Sequence, residues 1–229
     1  MLEAAFISIH PQFLSSYSNF GVYKSAQSKQ LAKFTFVDLR DFSLDKHGTV
    51  DGRPYGGGDG MVLRPEPLAN AVTALPASSY VINTSPSGKP FKQNDAERLL
   101  ALSRPLALIC GRFSGVDQRF IDQYVDEEFS VGDFVLSGGE LPALAIVDAV
   151  LRLVPGVLGH PKSSFYDSFA AGMDKKLEHP LYTRPPVFAG TEVPEVLNSG
   201  NHSEIESWRK SEAHARTQAL RPELLSSKK

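Results

Sequence analysis

Val131-Gly-Asp-Phe-Val-Leu-Ser-Gly-Gly-Glu-Leu-Pro142 is the stretch that decides the fold. It begins in the short apolar run Phe129 to Val131 and leads into Leu141 to Val154, which is almost continuously apolar apart from Asp148 and Arg152. A strand, a glycine-bordered turn and a long apolar helix in that order form the repeating unit of a parallel α/β sheet, because parallel strands must be joined by a crossover. A helix this apolar expects burial on most sides, by the sheet or by a second subunit.

The same rhythm extends back to the start of the chain. The apolar runs Ala5 to Ile9, Phe34 to Val37, Tyr80 to Asn83 and Leu106 to Cys110 alternate with helix candidates that begin near Pro65, Gln93 and Asp117. The first carries proline where its missing N–H does no harm. Forward of the helix, Pro155 to Pro186 is rich in Gly, Pro, Ser and Asp with little periodicity, and reads as a connector. Beyond it, Ser203 is a candidate cap for a helix through Arg216, and Pro222 opens another. The expected organisation is a mainly parallel α/β domain over residues 1–157, a flexible linker over 158–180 and a small helical C-terminal domain over 181–229.

Composition narrows the function classes. The 229 residues carry 24 Lys and Arg against 26 Asp and Glu, a formal charge of −2, so an RNA partner would be held by a local basic cluster and not by an overall basic surface. Cys110 is the only cysteine, which excludes an internal disulfide and a multi-thiolate zinc site. No apolar run reaches the ~18 residues of a membrane span, and Met1 to His10 lacks the pattern of a signal peptide, so no membrane partner and a cytoplasmic location are expected.

Three glycine clusters stand out: Tyr55 to Gly60, Gly111 to Gly115 and the opening stretch. Glycine serves where backbone takes positive φ or approaches a ligand closely. The second and third lie between a strand and a helix, at the carboxyl edge of the sheet where open α/β folds bind ligands. None ends in Gly-Lys-Ser/Thr, and the spaced-glycine dinucleotide fingerprint is absent. The loops suit a nucleoside held by backbone amides and carbonyls.

Five segments taken together, Arg53-Pro-Tyr-Gly-Gly-Gly-Asp-Gly-Met61, Cys110-Gly-Arg-Phe-Ser-Gly-Val-Asp117, the opening stretch, Pro155-Gly-Val-Leu-Gly159 and Leu197-Asn-Ser-Gly-Asn-His202, resemble the successive signatures of the bacterial tRNA (guanine-N(1))-methyltransferases. The resemblance runs in order from about residue 3 to residue 225. It implies the SPOUT fold with a deep trefoil knot, a homodimer whose active sites are composite, and transfer of a methyl group from S-adenosylmethionine to N1 of the guanine immediately 3′ of the anticodon. The donor would be contacted by Thr84, Ser85, Pro86, Gly111, Ser114, Val131, Gly132, Asp133, Phe134, Val135, Leu136, Gly138, Gly139 and Pro142.

The chemistry is an in-line displacement, so alignment and removal of the guanine proton are required. Asp167, in Phe165-Tyr-Asp-Ser-Phe169, matches the family's linker aspartate and is the candidate base; an arbitrary aspartate in such a stretch would more often be a cap or solvated. Arg152 matches the position proposed to steady charge on the guanine oxygen. Asp148, one turn earlier, offers it an ordinary ion pair instead. Glu140 and Glu178 are candidates for an assisting Mg²⁺; no residue is assigned as a metal ligand. For tRNA, the resemblance points to His47, Asp51, Tyr55, Gly57 and Gly58, with Arg209, Arg216 and Arg221 as phosphate contacts. Trp208 is expected in the small domain's core.

Two departures mark this chain: Ser114 stands where the family commonly has an acid, and Asp51 is followed by Gly52 where a second aspartate is frequent. Two other readings stay open at this level, a tRNA-binding homologue with impaired catalysis and a thiol hydrolase using Cys110 with a histidine such as His160.

Overall fold

The computed structural model describes residues 1–160 and 163–226; Pro161, Lys162 and residues 227–229, within the expected linker and C-terminal domain, lie outside the described residues. The chain divides into two compact units, the first Met1–Leu158 and the second beginning at Gly159.

The first unit contains β1 (Leu2–Ser8), α1 (Pro11–Ser18), α2 (Gly21–Ser28), β2 (Ala32–Asp38), β3 (Asp51–Gly52), β4 (Val62–Leu63), α3 (Pro65–Thr73), β5 (Tyr80–Pro90), α4 (Gln93–Ala101), β6 (Leu106–Cys110), α5 (Gln118–Tyr124), β7 (Glu127–Ser130) and α6 (Glu140–Leu151). Five strands form one sheet in the order β2-β1-β6-β5-β7, with every pairing parallel. The mainly parallel α/β architecture expected from the sequence is therefore present.

Alternation along the strands explains why they read as unbroken apolar runs. Leu106, Leu108 and Cys110 of β6 face a core that also holds Leu2, Ala4 and Phe6 of β1, Leu14, Tyr23 and Leu99, and the buried side of α6. Ala107 and Ile109 face the opposite core, with Ile7, Leu63, Leu68, Val81 and Phe120. Helices cover both faces, so neither side of the central strands needs to be polar.

Helices α1 and α2, eight residues each, were not expected from the sequence. Neither has a side-chain cap, and helices this short depend on packing. The packing centres on Tyr23, which stacks edge-on against Tyr17 and donates its hydroxyl to the Leu144 carbonyl of α6 at 2.9 Å. Burial raises its phenol far above the ordinary range, so it remains a donor.

The second unit holds α7 (Ser163–Tyr166), a 3₁₀ turn at Ala171–Met173, a two-stranded hairpin of β8 (Val187–Phe188) and β9 (Thr191–Glu192), and α8 (His202–Leu220). The cap of α8 is Asn201 and not Ser203, its side chain accepting from the Glu204 amide at 3.4 Å. The expected second helix at Pro222 is a single 3₁₀ turn, Pro222–Leu224.

Tyr23→Phe keeps the ring and deletes the bond to α6, and should cost about 1 kcal/mol in urea denaturation. Unchanged stability would mean that the hydroxyl is not holding the helices together.

Candidate active site

The carboxyl ends of β6, β5 and β7 open into one cavity of about 530 Å³. The chain produces it by two departures from regular structure. Strand β5 leaves its register with β7 between Thr84 and Lys89, so that residues 85–88 bow outward and both ends of the excursion pair with Phe129. The segment 131–139 then returns from the edge strand β7 to the start of α6, where the Gly139 amide donates to the Gly111 carbonyl at 2.8 Å and the Thr84 hydroxyl lies 3.3 Å from the Gly139 carbonyl. A Cβ on Gly139 would fall 2.1 Å from Thr84 Oγ1 and 2.8 Å from the Gly111 nitrogen, so only glycine fits.

Of the residues expected to hold the methyl donor, Thr84, Ser85, Pro86, Gly111, Ser114, Val131, Gly132, Phe134, Val135, Leu136, Gly138, Gly139 and Pro142 all line this cavity; Asp133 is not among its lining residues. Asn83 and Arg112 also line it and were not anticipated. Asn83 is 2% exposed; its Nδ2 donates to Glu128 Oε2 at 2.7 Å, and its Oδ1 finds no hydrogen-bond partner among the described residues. Arg112 Nε pairs with buried Glu140 Oε1 at 3.2 Å, and its Nη1 donates to the Ser137 carbonyl at 2.8 Å. Ser8 Oγ donates to the same Glu140 oxygen at 2.7 Å. Both signals lie in contacts between distant parts of the chain, Ser8 and Glu140 being 132 positions apart.

Cys110 ends β6 inside the core with 1% exposure, and burial together with the Glu140 carboxylate raises its thiol well above the ordinary value. A thiol held protonated and closed off is no nucleophile, so the thiol-hydrolase reading has no support. Among the described residues no three His, Cys, Asp or Glu side chains converge, and the Glu140 carboxylate is engaged by Ser8 and Arg112.

The glycine-rich loop expected to meet RNA joins the two strands of the β3–β4 hairpin. Its base is fastened to the cavity wall: the Ser114 amide donates to the Met61 carbonyl at 2.8 Å, the Leu63 amide to the Gly115 carbonyl at 2.9 Å and the Asp117 amide to the Leu63 carbonyl at 3.1 Å. Tyr55 at its tip is 97% exposed, and Gly57 and Gly58 both take positive φ. Asp51 is half-buried in β3, and His47 is exposed in a turn whose amides are gathered by Asp45 Oδ1. Arg152 forms the C-cap of α6, and on the same helix burial raises the Asp148 carboxyl while Arg152 pulls it down.

In the second unit Asp167 is half-buried, and its carbonyl accepts from the Ala170 amide at 3.1 Å. Arg209 is exposed on α8. Arg216 borders a second cavity of about 440 Å³ with Ser168, Glu178 and His179. Arg221 is paired with Glu223 and lies 5.7 Å from the centre of the Phe169 ring. Trp208 is half-buried beside His179 and Tyr182. No helix among the described residues is long and apolar enough to cross a membrane.

Comparison with known proteins gives the same answer as the motifs. Residues 2–227 match the family model described as tRNA (Guanine-1)-methyltransferase TrmD. A tRNA (guanine-N(1)-)-methyltransferase of Citrifermentans bemidjiense is 49% identical over 222 residues, covering 96% of this chain and 88% of the relative. Its namesake in Aliivibrio salmonicida is 50% identical over 223 residues, with the same coverage. At this identity and across nearly the full length, the chain belongs to the tRNA (guanine-1)-methyltransferase family.

Proposed function

We propose that this chain transfers the methyl group of S-adenosylmethionine to N1 of the guanine immediately 3′ of the anticodon of tRNA, working in the cytoplasm as a homodimer with composite active sites. The observation that carries the reading is that three separated motifs, at 84–86, 111–114 and 131–142, line a single cavity at the sheet's carboxyl edge in a member of this family. The cavity fits a nucleoside. Its backbone is exposed at glycines, and Asn83 Oδ1 is a buried acceptor awaiting an N–H. A trefoil knot at the sheet's carboxyl edge, which the family resemblance implies, is part of this reading, and the close seating of Gly139 against Thr84 and Gly111 supports it.

In the reaction the bond from guanine N1 to the methyl carbon forms as the sulfur–carbon bond breaks, and the N1 proton passes to a base. Asp167 supplies that base, and Arg152 steadies the charge that gathers on the guanine oxygen. Tyr55 offers a stacking face, His47, Asp51, Gly57 and Gly58 shape the surrounding surface, and Arg209 and Arg216 contact phosphate. The homodimer is supported by α1 and α6, which pack together while Phe13, Tyr17, Phe20 and Leu141 on and beside them remain exposed.

With labelled donor and tRNA transcripts, label should enter only when guanine follows the anticodon, and Asp167→Asn should lower the rate by about 10²–10⁴-fold. Full activity in that variant removes Asp167 as the base. In calorimetry, the wild type should give binding heat with S-adenosylmethionine and with its demethylated product, and Gly139→Ala should bind both at least about tenfold more weakly. A folded Gly139→Ala protein with unaltered affinity would place the donor elsewhere.

A further inference from the structure

The segment that carries Asp167 was expected to be a flexible linker, yet the described part is a closed loop. The Phe169 amide donates to the Lys176 carbonyl at 2.8 Å, and the Glu178 amide to Ser168 Oγ at 2.9 Å, so the chain returns to where it left. Inside the loop Phe169, Asp174 and Lys175 take φ of 69°, 50° and 63°, and none is glycine. Backbone of this kind persists only where its surroundings over-determine it.

Those surroundings are α8. Thr217 is 0% exposed; its hydroxyl donates to the Ala213 carbonyl one turn earlier at 2.7 Å and accepts the Leu177 amide at 3.0 Å. Leu177 adjoins Glu178, whose amide closes on Ser168 next to Asp167. On the other side the Arg221 guanidinium covers the Phe169 ring. The helix therefore grips the loop at both ends of its closure, by one part-buried hydrogen bond and one cation–ring contact.

We infer that Thr217 and Arg221 are positioning residues for Asp167, and that α8 presets the base in addition to meeting RNA. The inference rests on the reading of Asp167 as the base. Thr217→Val keeps the side chain's shape but removes the acceptor and strands the Leu177 amide. Thr217→Ser keeps the acceptor. Arg221→Gln removes the charge over the ring.

The test uses the full chain at a temperature where circular dichroism shows every variant folded, with kcat and KM for tRNA measured by methyl transfer and donor affinity by calorimetry. Thr217→Val and Arg221→Gln should each lower kcat by about tenfold, leaving KM for tRNA and donor affinity within about twofold, and Thr217→Ser should restore wild-type kcat. A raised KM with unchanged kcat in Arg221→Gln would return that residue to phosphate binding and overturn its part of the inference. Wild-type kcat in Thr217→Val, beside an inactive Asp167→Asn, overturns the inference alone. Full activity in Asp167→Asn instead sinks the base assignment and this inference with it.

Discussion

Everything at the functional edge of the sheet depends on one backbone contact, the seating of Gly139 against the ends of β5 and β6. Its amide and carbonyl are both engaged, one by Gly111 and the other beside the Thr84 hydroxyl, which also reaches the Ile109 carbonyl at 3.0 Å. The ends of β5 and β6 are thus tied to the start of α6 by one main-chain hydrogen bond and one buried threonine hydroxyl. The contact also sets where α6 begins, and α6 fills the larger of the two cores. Cavity and core are consequently one construction, and close packing behind it makes the cavity's wall rigid.

The second unit follows a different physical rule. A left-handed non-glycine residue costs roughly 1–2 kcal/mol, and the Asp167 loop contains three. Each hydrogen bond that closes the loop contributes only about 1 kcal/mol net. The two closing hydrogen bonds do not offset that cost by themselves, so the loop's conformation depends on its contacts with α8. On the proposed reading, the close-packed cavity of the first unit suits a ligand held by shape, and the braced loop of the second suits a side chain that must be aimed.

What the sequence disclosed, and what it withheld, divides along the same line. Strands buried on both faces announce themselves as apolar runs, so Leu106 to Cys110 was legible to the residue. The glycines were legible because close backbone approach at Gly139 and positive φ at Gly57 and Gly58 disfavour any other residue. Asn83 and Arg112 were not, because their meaning lies in partners that folding brings together: Glu128 across the sheet, Glu140 across the cavity wall. The loop at 167–178 has no apolar period, the mark of a linker, and it is held to Thr217, 40 positions beyond Leu177. The C-terminal helix likewise continued past its expected end at Arg216 to Leu220, because Thr217 is buried and not at a frayed terminus.

The substitution of Ser114 for the family's usual acid then takes on a chemical sense. No Asp or Glu is among the residues that line the cavity, and its one guanidinium, Arg112, is balanced by Glu140. On the proposed reading the donor enters with a positive sulfonium and leaves as a neutral thioether, so positive charge at sulfur declines toward the transition state. A carboxylate beside the sulfur would stabilise the ground state more than the transition state and slow the step. A near-neutral wall of glycine backbone and short hydroxyls avoids that penalty. Ser114 keeps its structural task as well: its amide holds Met61, and its hydroxyl occupies the space that a Cβ on Gly60 would need, 2.3 Å away. The loop proposed to meet RNA is thereby fixed to the wall proposed to meet the donor by a main-chain bond that does not depend on the side chain at position 114.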